Sequence, residues 1–418
     1  MIHYVSTNGI GNAWVAEEFL AVRRAGIPCV LHSMRPPHQN FFGSEEARRV
    51  NAETRLLYPL PPLRLALSLL LAPLLFHVRF AACLGNALCA PRENRRARAA
   101  CIAHLAVACD WARRLRGERV DLIHAQWIQS SGTIGWYAAR LLGVPFSFTG
   151  HAVDLFRERV ALRDKIRDAA FIVCISEFHR RFYVEEGAEP SKLHVVYCGI
   201  DTTDFGFRER RPAPRPRVLS FGRLVEKKGM DTLVEACALL RGRGVAFECE
   251  IAGDGPEEAR LRALVAEREL GDTVTITGRP LLQEDIPEWL AGGHVFAQPC
   301  CWSHDNDVDG IPRSLMEAMA SGLPAVSTRI AGIPDLVEDD VSGLLVEPRD
   351  ANALAAALER LLTDAPLAAR LARGGRERVL ERFDLRTCLE PLFALFRARL
   401  RGGAAQPGYH RTAAQVNL

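Results

Sequence analysis

Residues 218–229 have the sequence Val-Leu-Ser-Phe-Gly-Arg-Leu-Val-Glu-Lys-Lys-Gly. The first four residues form a short apolar run that predicts a buried strand. The loop after it carries Arg223 and Lys228, a planar guanidinium and a compact ammonium, which suit the negative charge of a departing diphosphate. Taken alone, two such cations more often belong to a solvated charged face. The stretch therefore predicts a strand with a candidate phosphate site at its carboxyl end.

Similar apolar runs alternate with longer helical patterns on both sides of this stretch, which is typical of parallel α/β sheets. The alternation stops at 206–216, a polar segment rich in proline and arginine, and we predict a linker there. The predicted domains are residues 1–205 and 217–384, followed by a helix over 385–400 and a disordered tail over 401–418. The predicted strands are Ile2–Ser6, Cys29–Ser33, Leu122–Ala125, Phe146–Thr149, Phe171–Ile175, Leu193–Val196, Val218–Phe221, Phe247–Ala252, Val274–Thr277, His294–Gln298, Ala325–Thr328 and Leu344–Val346.

Two open α/β sheets in one chain favour a ligand crevice between them, because such sheets bind ligands at the carboxyl ends of their strands. The loops 252–256 and 278–280 also follow predicted strands and should line the same rim. After the first strand, Gly9 and Gly11 would let the backbone approach a ligand closely, although a simple tight turn explains them equally well. A third glycine and an acidic residue after the second strand are missing, so a dinucleotide site is disfavoured.

Residues 309–317, Asp-Gly-Ile-Pro-Arg-Ser-Leu-Met-Glu, place two carboxylates on either side of a Gly-Ile-Pro turn. Gly310 frees the backbone, and Pro312 suits the first turn of a helix. The amides of residues 313–315 should then point outward, unsatisfied, from a partly positive helix end that can bind phosphate. Asp309 in the loop and Glu317 in the helix could bind hydroxyls of a sugar and of a ribose. The segment therefore predicts a nucleotide-sugar clamp.

Two other interpretations could explain this segment. Asp305, Asp307 and Asp309 match positions 1, 3 and 5 of a calcium loop, but position 12 is Met316, and Glu317 misses that position by one residue. The calcium interpretation is therefore disfavoured. A helix whose acidic residues only complement its dipole would explain Glu317 but would leave the Gly-Ile-Pro turn unexplained.

Composition narrows the class of protein. The chain has 418 residues and a formal net charge of +3, which gives no support for a nucleic-acid partner. Its 12 cysteines include no Cys-x-x-Cys pair, and residues 1–10 do not resemble a signal peptide. These features favour reduced thiols and a cytoplasmic location.

One apolar segment, Leu63–Phe80, complicates that expectation. Pro73 divides it, and its uninterrupted apolar part is shorter than the ~20 residues that a bilayer requires. We favour helices buried in a domain core. A helix lying on an anionic membrane, with Arg64, Arg79 and the arginines of 92–98 facing lipid headgroups, stays open as the alternative.

Together the motifs resemble the retaining glycosyltransferases of family 4, also called glycosyl transferases group 1, which have the GT-B fold of two Rossmann-like domains facing a central crevice. The resemblance spans nearly the whole chain. In the second half, the segments that match the donor motifs of the family in order and spacing are Phe221–Gly229, Ile251–Pro256, Gly278–Pro280 and Asp309–Ala331. In the first half, the segments similar to branches that build exopolysaccharides such as colanic acid are Phe148–Asp154, Cys174–Glu177 and Val196–Asp201.

The resemblance implies a metal-independent hexosyltransferase that uses a nucleotide-diphosphate sugar and a lipid-linked or polysaccharide acceptor. It implies that Arg223 and Lys228 hold the diphosphate, Glu317 the ribose, and Asp309 with the following amides the sugar. His151 would lie beside the reacting sugar and orient it rather than attack it. The candidate catalytic residues are His151, Arg223, Lys228, Asp309 and Glu317. The candidate donor-binding residues are Gly9, Gly11, Arg223, Lys228, Gly253, Gly278, Arg279, Asp309, Gly310, Ile311, Pro312 and Glu317, and the candidate acceptor-binding residues are His151 and Asp154.

The chain departs from the family pattern at two positions, since Asp309 replaces the commoner glutamate and Arg313 replaces a small or apolar residue. Both changes are expected to affect which donor fits. A sugar-nucleotide epimerase of the same fold is one alternative, which would need a pair of carboxylates as acid and base. A catalytically silent sugar-binding scaffold is another, which the presence of Arg223, Lys228 and Glu317 argues against. The expected location is the cytoplasm, at the inner face of the membrane.

Overall fold

The first domain is built around a seven-stranded parallel sheet with strand order β3-β2-β1-β4-β5-β6-β7. The computed structural model describes residues 1–11, 13–36, 44–152, 155–156, 159–211 and 213–401. The strands of this sheet are β1 Ile2–Ser6, β2 Cys29–Ser33, β3 Arg55–Leu56, β4 Leu122–Gln126, β5 Phe146–Thr149, β6 Phe171–Cys174 and β7 Leu193–Val195. The predicted strands are confirmed to within one residue at each end, and only the short, exposed β3 was not predicted.

The second domain contains a six-stranded parallel sheet with strand order β10-β9-β8-β11-β12-β13. Its central strands are buried on both faces, which explains why they appear in the sequence as continuous apolar runs. The strands are β8 Arg217–Phe221, β9 Glu248–Ala252, β10 Val274–Ile276, β11 Val295–Gln298, β12 Ala325–Thr328 and β13 Leu344–Val346. The expectation of two parallel-sheet α/β domains is confirmed.

Helices connect the strands and cover both faces of the sheets. Several begin at a side chain that accepts a hydrogen bond from the first turn, as Asn94, Ser176 and Asp350 do. The helices of the first half are α1 Ala13–Arg24, α2 Glu45–Glu53, α3 Pro62–Cys89, α4 Arg95–Leu115, α5 Ser130–Leu142, α6 Leu162–Asp168 and α7 Glu177–Glu185. Those of the second half are α8 Met230–Gly242, α9 Glu258–Glu267, α10 Ile286–Ala291, α11 Arg313–Ala320, α12 Ile333–Leu336, α13 Ala351–Thr363, α14 Ala365–Arg382, α15 Leu385–Cys388 and α16 Glu390–Arg401.

The chain crosses between the domains twice, at neighbouring positions. Ile200 donates its amide to the carbonyl of Phe383 at 2.9 Å, and its own carbonyl accepts from Leu385 at 3.0 Å. After the second crossing, α16 packs on the first domain, where Phe396 lies in one apolar cluster with Tyr4. The predicted helix over 385–400 is two helices, α15 and α16, and residues 402–418 of the predicted tail lie outside the described residues.

Helix α3 contradicts the expectation of a buried segment. Ser68, Ala72 and Phe76 on one side pack on the domain, but the opposite side is apolar and open to solvent, with Leu70 73% exposed and Leu74 68% exposed. Pro73 lies inside the helix and does not end it. The kink comes at His77, whose φ is 45°. On length and composition alone, α3 is long and apolar enough to cross a bilayer, and it is the single such helix in the described part of the chain.

The arginines around α3, which would face lipid headgroups if α3 lay on a membrane, are mostly held by contacts within the domain. Arg64 forms an ion pair with Asp110, and the nearly buried Arg92 forms one with Asp164. Arg79 and Arg98 donate to backbone carbonyls. Arg79, Arg95 and Arg96 are exposed and form no ion pair among the described residues.

Candidate active site between the two domains

A cavity of about 360 Å³ lies between the two domains and is lined by residues from both. The first domain contributes Trp127, His151 and Ile175, which follow the carboxyl ends of β4, β5 and β6. The second domain contributes the loop after β8 and the start of α11. The predicted site residues that the structure brings together here are His151, Lys228, Asp309, Gly310, Ile311, Pro312 and Glu317.

Lys228 and Asp309 form an ion pair in this cavity. The sequence predicted separate roles for them, Lys228 at the diphosphate and Asp309 at the sugar. Lys228 Nζ lies 2.7 Å from Asp309 Oδ2, and Lys227 Nζ lies 3.1 Å from Asp309 Oδ1 and 2.9 Å from Asp307 Oδ2. Burial alone would raise the pKa of Asp309, but the two ammonium groups lower that pKa to about 2. Burial alone would lower the pKa of Lys228, and Asp309 raises it above its ordinary value. Both groups are therefore charged at neutral pH.

The start of α11 forms the next part of the cavity wall. Pro312 is the N-cap, one position before the first helical turn where it was expected. The amide of Leu315 was predicted to be free, but it donates to the carbonyl of Pro312 at 3.2 Å. The amides of Arg313 and Ser314 make no backbone hydrogen bond among the described residues. Two amides and the positive end of the helix dipole thus remain available for an anion.

Glu317 is almost completely buried and is held by two neighbours. Its Oε1 accepts from Arg313 Nε at 2.7 Å and from Gln283 Nε2 at 3.3 Å, and Oε2 has no hydrogen bond to the described residues. Arg313 also donates through Nη1 to Glu17 Oε2 at 2.6 Å. A chain Glu17–Arg313–Glu317 therefore joins the first domain to the second at the cavity, and this gives Arg313 a definite role.

His151 lies in the opposite wall at the end of a buried polar chain. Its Nε2 lies 3.1 Å from Gln126 Oε1, and the amide nitrogen of Gln126 donates to Glu18. Since the Gln126 nitrogen is used by Glu18, its oxygen accepts from His151, so that Nε2 carries the proton. Burial lowers the pKa of His151 to about 4 and raises that of Glu18 to about 7. The imidazole is therefore neutral at neutral pH.

Two tryptophans flank His151. The ring centroid of Trp127 lies 4.5 Å from that of His151, and the centroid of Trp14 lies 5.9 Å away. Trp127 has a φ of 73°, an unfavourable conformation for a non-glycine residue, which often accompanies a functional site. Aromatic faces next to a polar group can pack against the apolar face of a sugar.

Several predicted site residues lie outside this cavity. Arg223 is exposed and has no ion pair among the described residues, and Arg279 is also exposed. Gly253 packs so tightly that a Cβ would lie 2.0 Å from the carbonyl oxygen of Gly222, which indicates a packing role. Gly9, Gly11 and Gly278 do not line the cavity either, and Gly11 closes a tight turn onto Asn8. Asp154 lies outside the described residues.

The sequence patterns did not identify other residues that line or support the cavity. These are Trp14, Glu17, Glu18, Gln126, Trp127, Lys227 and Gln283. Gly222, the residue after β8, also lines the cavity, and its position directly after a strand was a usable signal. The contacts of Glu17 and Gln126 depend on packing between distant segments, so no local motif could have indicated them.

Comparison with known protein families agrees with this geometry. Residues 201–378 match the model of glycosyl transferases group 1, and residues 88–204 match that of glycosyltransferase family 4. The amylovoran biosynthesis glycosyltransferase AmsK of Erwinia amylovora is 37% identical over 219 residues, which cover 50% of this chain and 53% of AmsK. The match thus spans about half the length of the first curated relatives.

A more complete match is the GDP-mannose-dependent alpha-(1-6)-phosphatidylinositol monomannoside mannosyltransferase of Mycobacterium tuberculosis. It is 32% identical over 274 residues, which cover 61% of this chain and 71% of that protein. Among solved structures, Anabaena HepE in complex with UDP superposes with a TM-score of 0.68 at 16% identity, over 95% of this chain and 99% of HepE. The two domains thus have the expected GT-B fold. The chain belongs to the glycosyl transferases group 1, with a family 4 first domain.

Proposed function

We propose that this protein transfers a hexose from a nucleotide-diphosphate sugar to a lipid-linked or polysaccharide acceptor, with retention of the anomeric configuration, in exopolysaccharide or cell-envelope glycan synthesis. The observation that carries this proposal is the cavity between the domains, where Lys228, Asp309 and Glu317 face His151. Similar proteins support the proposal, since AmsK is a glycosyltransferase of amylovoran biosynthesis and HepE has been crystallised with UDP and with UDP-glucose.

Each wall of the cavity has a chemical role in this proposal. Lys228 and the free amides at the start of α11 stabilise the negative charge that develops on the leaving diphosphate. Glu317, held through Oε1, offers Oε2 to the ribose hydroxyls. Asp309 accepts hydrogen bonds from the hydroxyls of the donor sugar while Lys227 keeps it ionised. His151, neutral because of its burial, orients the sugar without adding positive charge.

The test of this function is a panel of donors that includes UDP-glucose and GDP-mannose, with release of the nucleoside diphosphate as the readout. We expect slow hydrolysis of one donor without acceptor and faster release with a lipid-linked or polysaccharide acceptor. The anomeric configuration of the product, measured by NMR, should equal that of the donor. Conversion of the donor sugar to its epimer would instead support the epimerase alternative, and no turnover of any donor would support the scaffold.

We further propose that the reaction needs no metal ion. Lys227 Nζ lies within 3.1 Å of both Asp307 and Asp309, so an ammonium group holds the place between two carboxylates that a divalent cation would need. Lys228 and the start of α11 supply the positive field at the diphosphate. Transfer should therefore proceed at an unchanged rate in EDTA. Loss of transfer in EDTA, with recovery on adding manganese or magnesium, would contradict this proposal.

We also propose that the protein works at the inner face of an anionic membrane, in contact through α3. The outward side of α3 carries Leu63, Leu67, Leu70, Leu74 and Val78, all of which are exposed. Such a continuous apolar surface is unusual on a protein that stays in water. The kink at His77 divides α3 into halves shorter than the ~20 residues of a membrane span, and its other side packs on the domain. Both facts favour a helix that lies in the interface.

Replacing Leu70 and Leu74 by aspartate should abolish co-sedimentation with liposomes, because both side chains are largely exposed and would lie among acyl chains. The fold should persist, since neither side chain is part of the core. The matched control is the pair Val341→Asp and Leu380→Asp, two exposed apolar residues of the second domain. If the two double variants co-sediment with liposomes to the same extent, α3 does not form the membrane contact.

A further inference from the structure

A second cavity, of about 560 Å³, lies in the first domain and has a strongly cationic lining. Its charged residues are Arg79 of α3, Arg140 of α5, Lys192, Arg399 of α16 and Asp168. Four cations thus line the cavity with a single carboxylate. Nothing in the proposed transfer reaction uses these residues.

The cations are held in place mainly by neutral groups. Arg79 Nη1 donates to the carbonyl of Leu142 at 2.7 Å, Lys192 Nζ to that of Arg167 at 2.9 Å, and Arg399 Nη2 to that of Ala170 at 3.3 Å. A carbonyl fixes a cation without cancelling its charge. The exception is Arg140, which is ion-paired with Asp168. The cavity therefore presents an ordered excess of positive charge, which suits a phosphate group.

The position of this cavity separates it from the donor site. Phe146 begins β5, Ala170 immediately precedes β6 and Lys192 immediately precedes β7, and all three line the cationic cavity. It thus opens at the amino ends of strands whose carboxyl ends carry the donor cavity. A group bound here cannot reach the reacting sugar, so this cavity serves as a separate binding site.

A groove with an apolar part adjoins the cationic cavity. It has a volume of about 460 Å³, shares Arg79 and Val144 with the cavity, and is lined by apolar side chains such as Phe76, Val78 and Leu142 together with the charged Arg116 and Glu118. Val78 is 80% exposed and continues the outward apolar side of α3. A ligand that spans both features would have a phosphate at one end and hydrocarbon at the other.

We propose that this cationic cavity binds the phosphate headgroup of an anionic membrane lipid, with the acyl chains lying on the groove and on the outward side of α3. This inference rests on the membrane contact proposed above and adds to it a specific headgroup site. The lipid acts as an anchor and not as the glycosyl acceptor, because the donor cavity lies at the other end of the strands.

The test is co-sedimentation of the full chain with vesicles of phosphatidylcholine alone or mixed with phosphatidylglycerol. The double variant Lys192→Glu, Arg399→Glu should lose the preference for the anionic vesicles, by about fivefold or more for each reversed residue. The control Arg95→Glu, Arg96→Glu reverses two exposed cations outside the cavity and should keep most of the preference. Thermal melting checks that both variants fold.

The possible results separate this site from its rivals. An equal loss of preference in both double variants would indicate diffuse charge attraction and overturn the headgroup site. Tight calorimetric binding of inorganic phosphate that depends on Lys192 and Arg399, with vesicle recovery unchanged in their variant, would assign the cavity to a free phosphate and also overturn it. If the Leu70 and Leu74 variant loses all vesicle binding while the Lys192 and Arg399 variant binds vesicles like the wild type, the membrane contact through α3 is supported and the headgroup site is overturned.

Discussion

Lys228→Ala should lower turnover by about a hundredfold, because loss of one contact to the leaving diphosphate commonly removes ~3 kcal/mol of transition-state stabilisation. Lys228 is the largely buried cation in the wall of the donor cavity, 2.7 Å from Asp309. The fold should persist, since Lys227 still pairs with Asp309 in the variant. The measurement is the steady-state rate of nucleoside diphosphate release, alongside a melting curve.

The matched control for this variant is Lys192→Ala, which removes a lysine far from the donor cavity. We expect its turnover to stay close to that of the unmodified protein in an assay without membranes. Wild-type turnover in a normally melting Lys228→Ala would show that this ammonium does not act on the diphosphate. A loss of the same size in Lys192→Ala would show that the effect is not specific to the cavity.

Glu317→Gln should raise the KM for the donor by roughly tenfold to a hundredfold, because hydrogen bonds to a charged group contribute about 1.5–3 kcal/mol. Oε2 of this carboxylate has no hydrogen bond to the described residues, and Arg313 and Gln283 hold the carboxylate through Oε1. Its change to an amide keeps the size of the side chain and removes the charge. Initial rates over a range of donor concentrations separate KM from kcat.

Glu17→Gln is the control for that experiment, since Glu17 is the other partner of Arg313 and lies outside the lining of the donor cavity. This variant loosens the contact between the domains while the ion pair between Arg313 and Glu317 remains. We expect a donor KM close to that of the wild type, because Glu17 does not line the donor cavity. Equal increases in KM in both variants would mean that Glu317 positions the domains and does not bind the ribose.

The fold could be predicted from the sequence because its strands are buried on both faces. The run Val218–Phe221 is apolar almost throughout, and it is buried throughout in the structure. Strand β3, Arg55–Leu56, has only two residues, and both are exposed, so it carries no such signal. The apolar segment that became α3 was assigned to the core because composition does not tell whether a neighbour covers each side of a helix.

The donor side of the site could be predicted because its residues lie close together in the sequence. Asp309, Pro312 and Glu317 belong to one loop and one helix, so their spacing alone places them in one wall. The pairing of Lys228 with Asp309 brings together a loop and a segment 81 residues later, which no spacing rule indicates. The contact between Glu17 and Arg313 spans 296 residues and depends on how the two domains meet.

The central claim, that the cavity between the domains binds a nucleoside diphosphate through Lys228, is tested most directly by isothermal titration calorimetry. UDP, GDP and ADP would be titrated, without metal, into the wild-type protein, Lys228→Ala and Lys192→Ala. We predict saturable binding of at least one nucleotide to the wild type and to Lys192→Ala, and binding at least about tenfold weaker to Lys228→Ala. Absence of binding to the wild type, or equal affinity in Lys228→Ala, would contradict the claim.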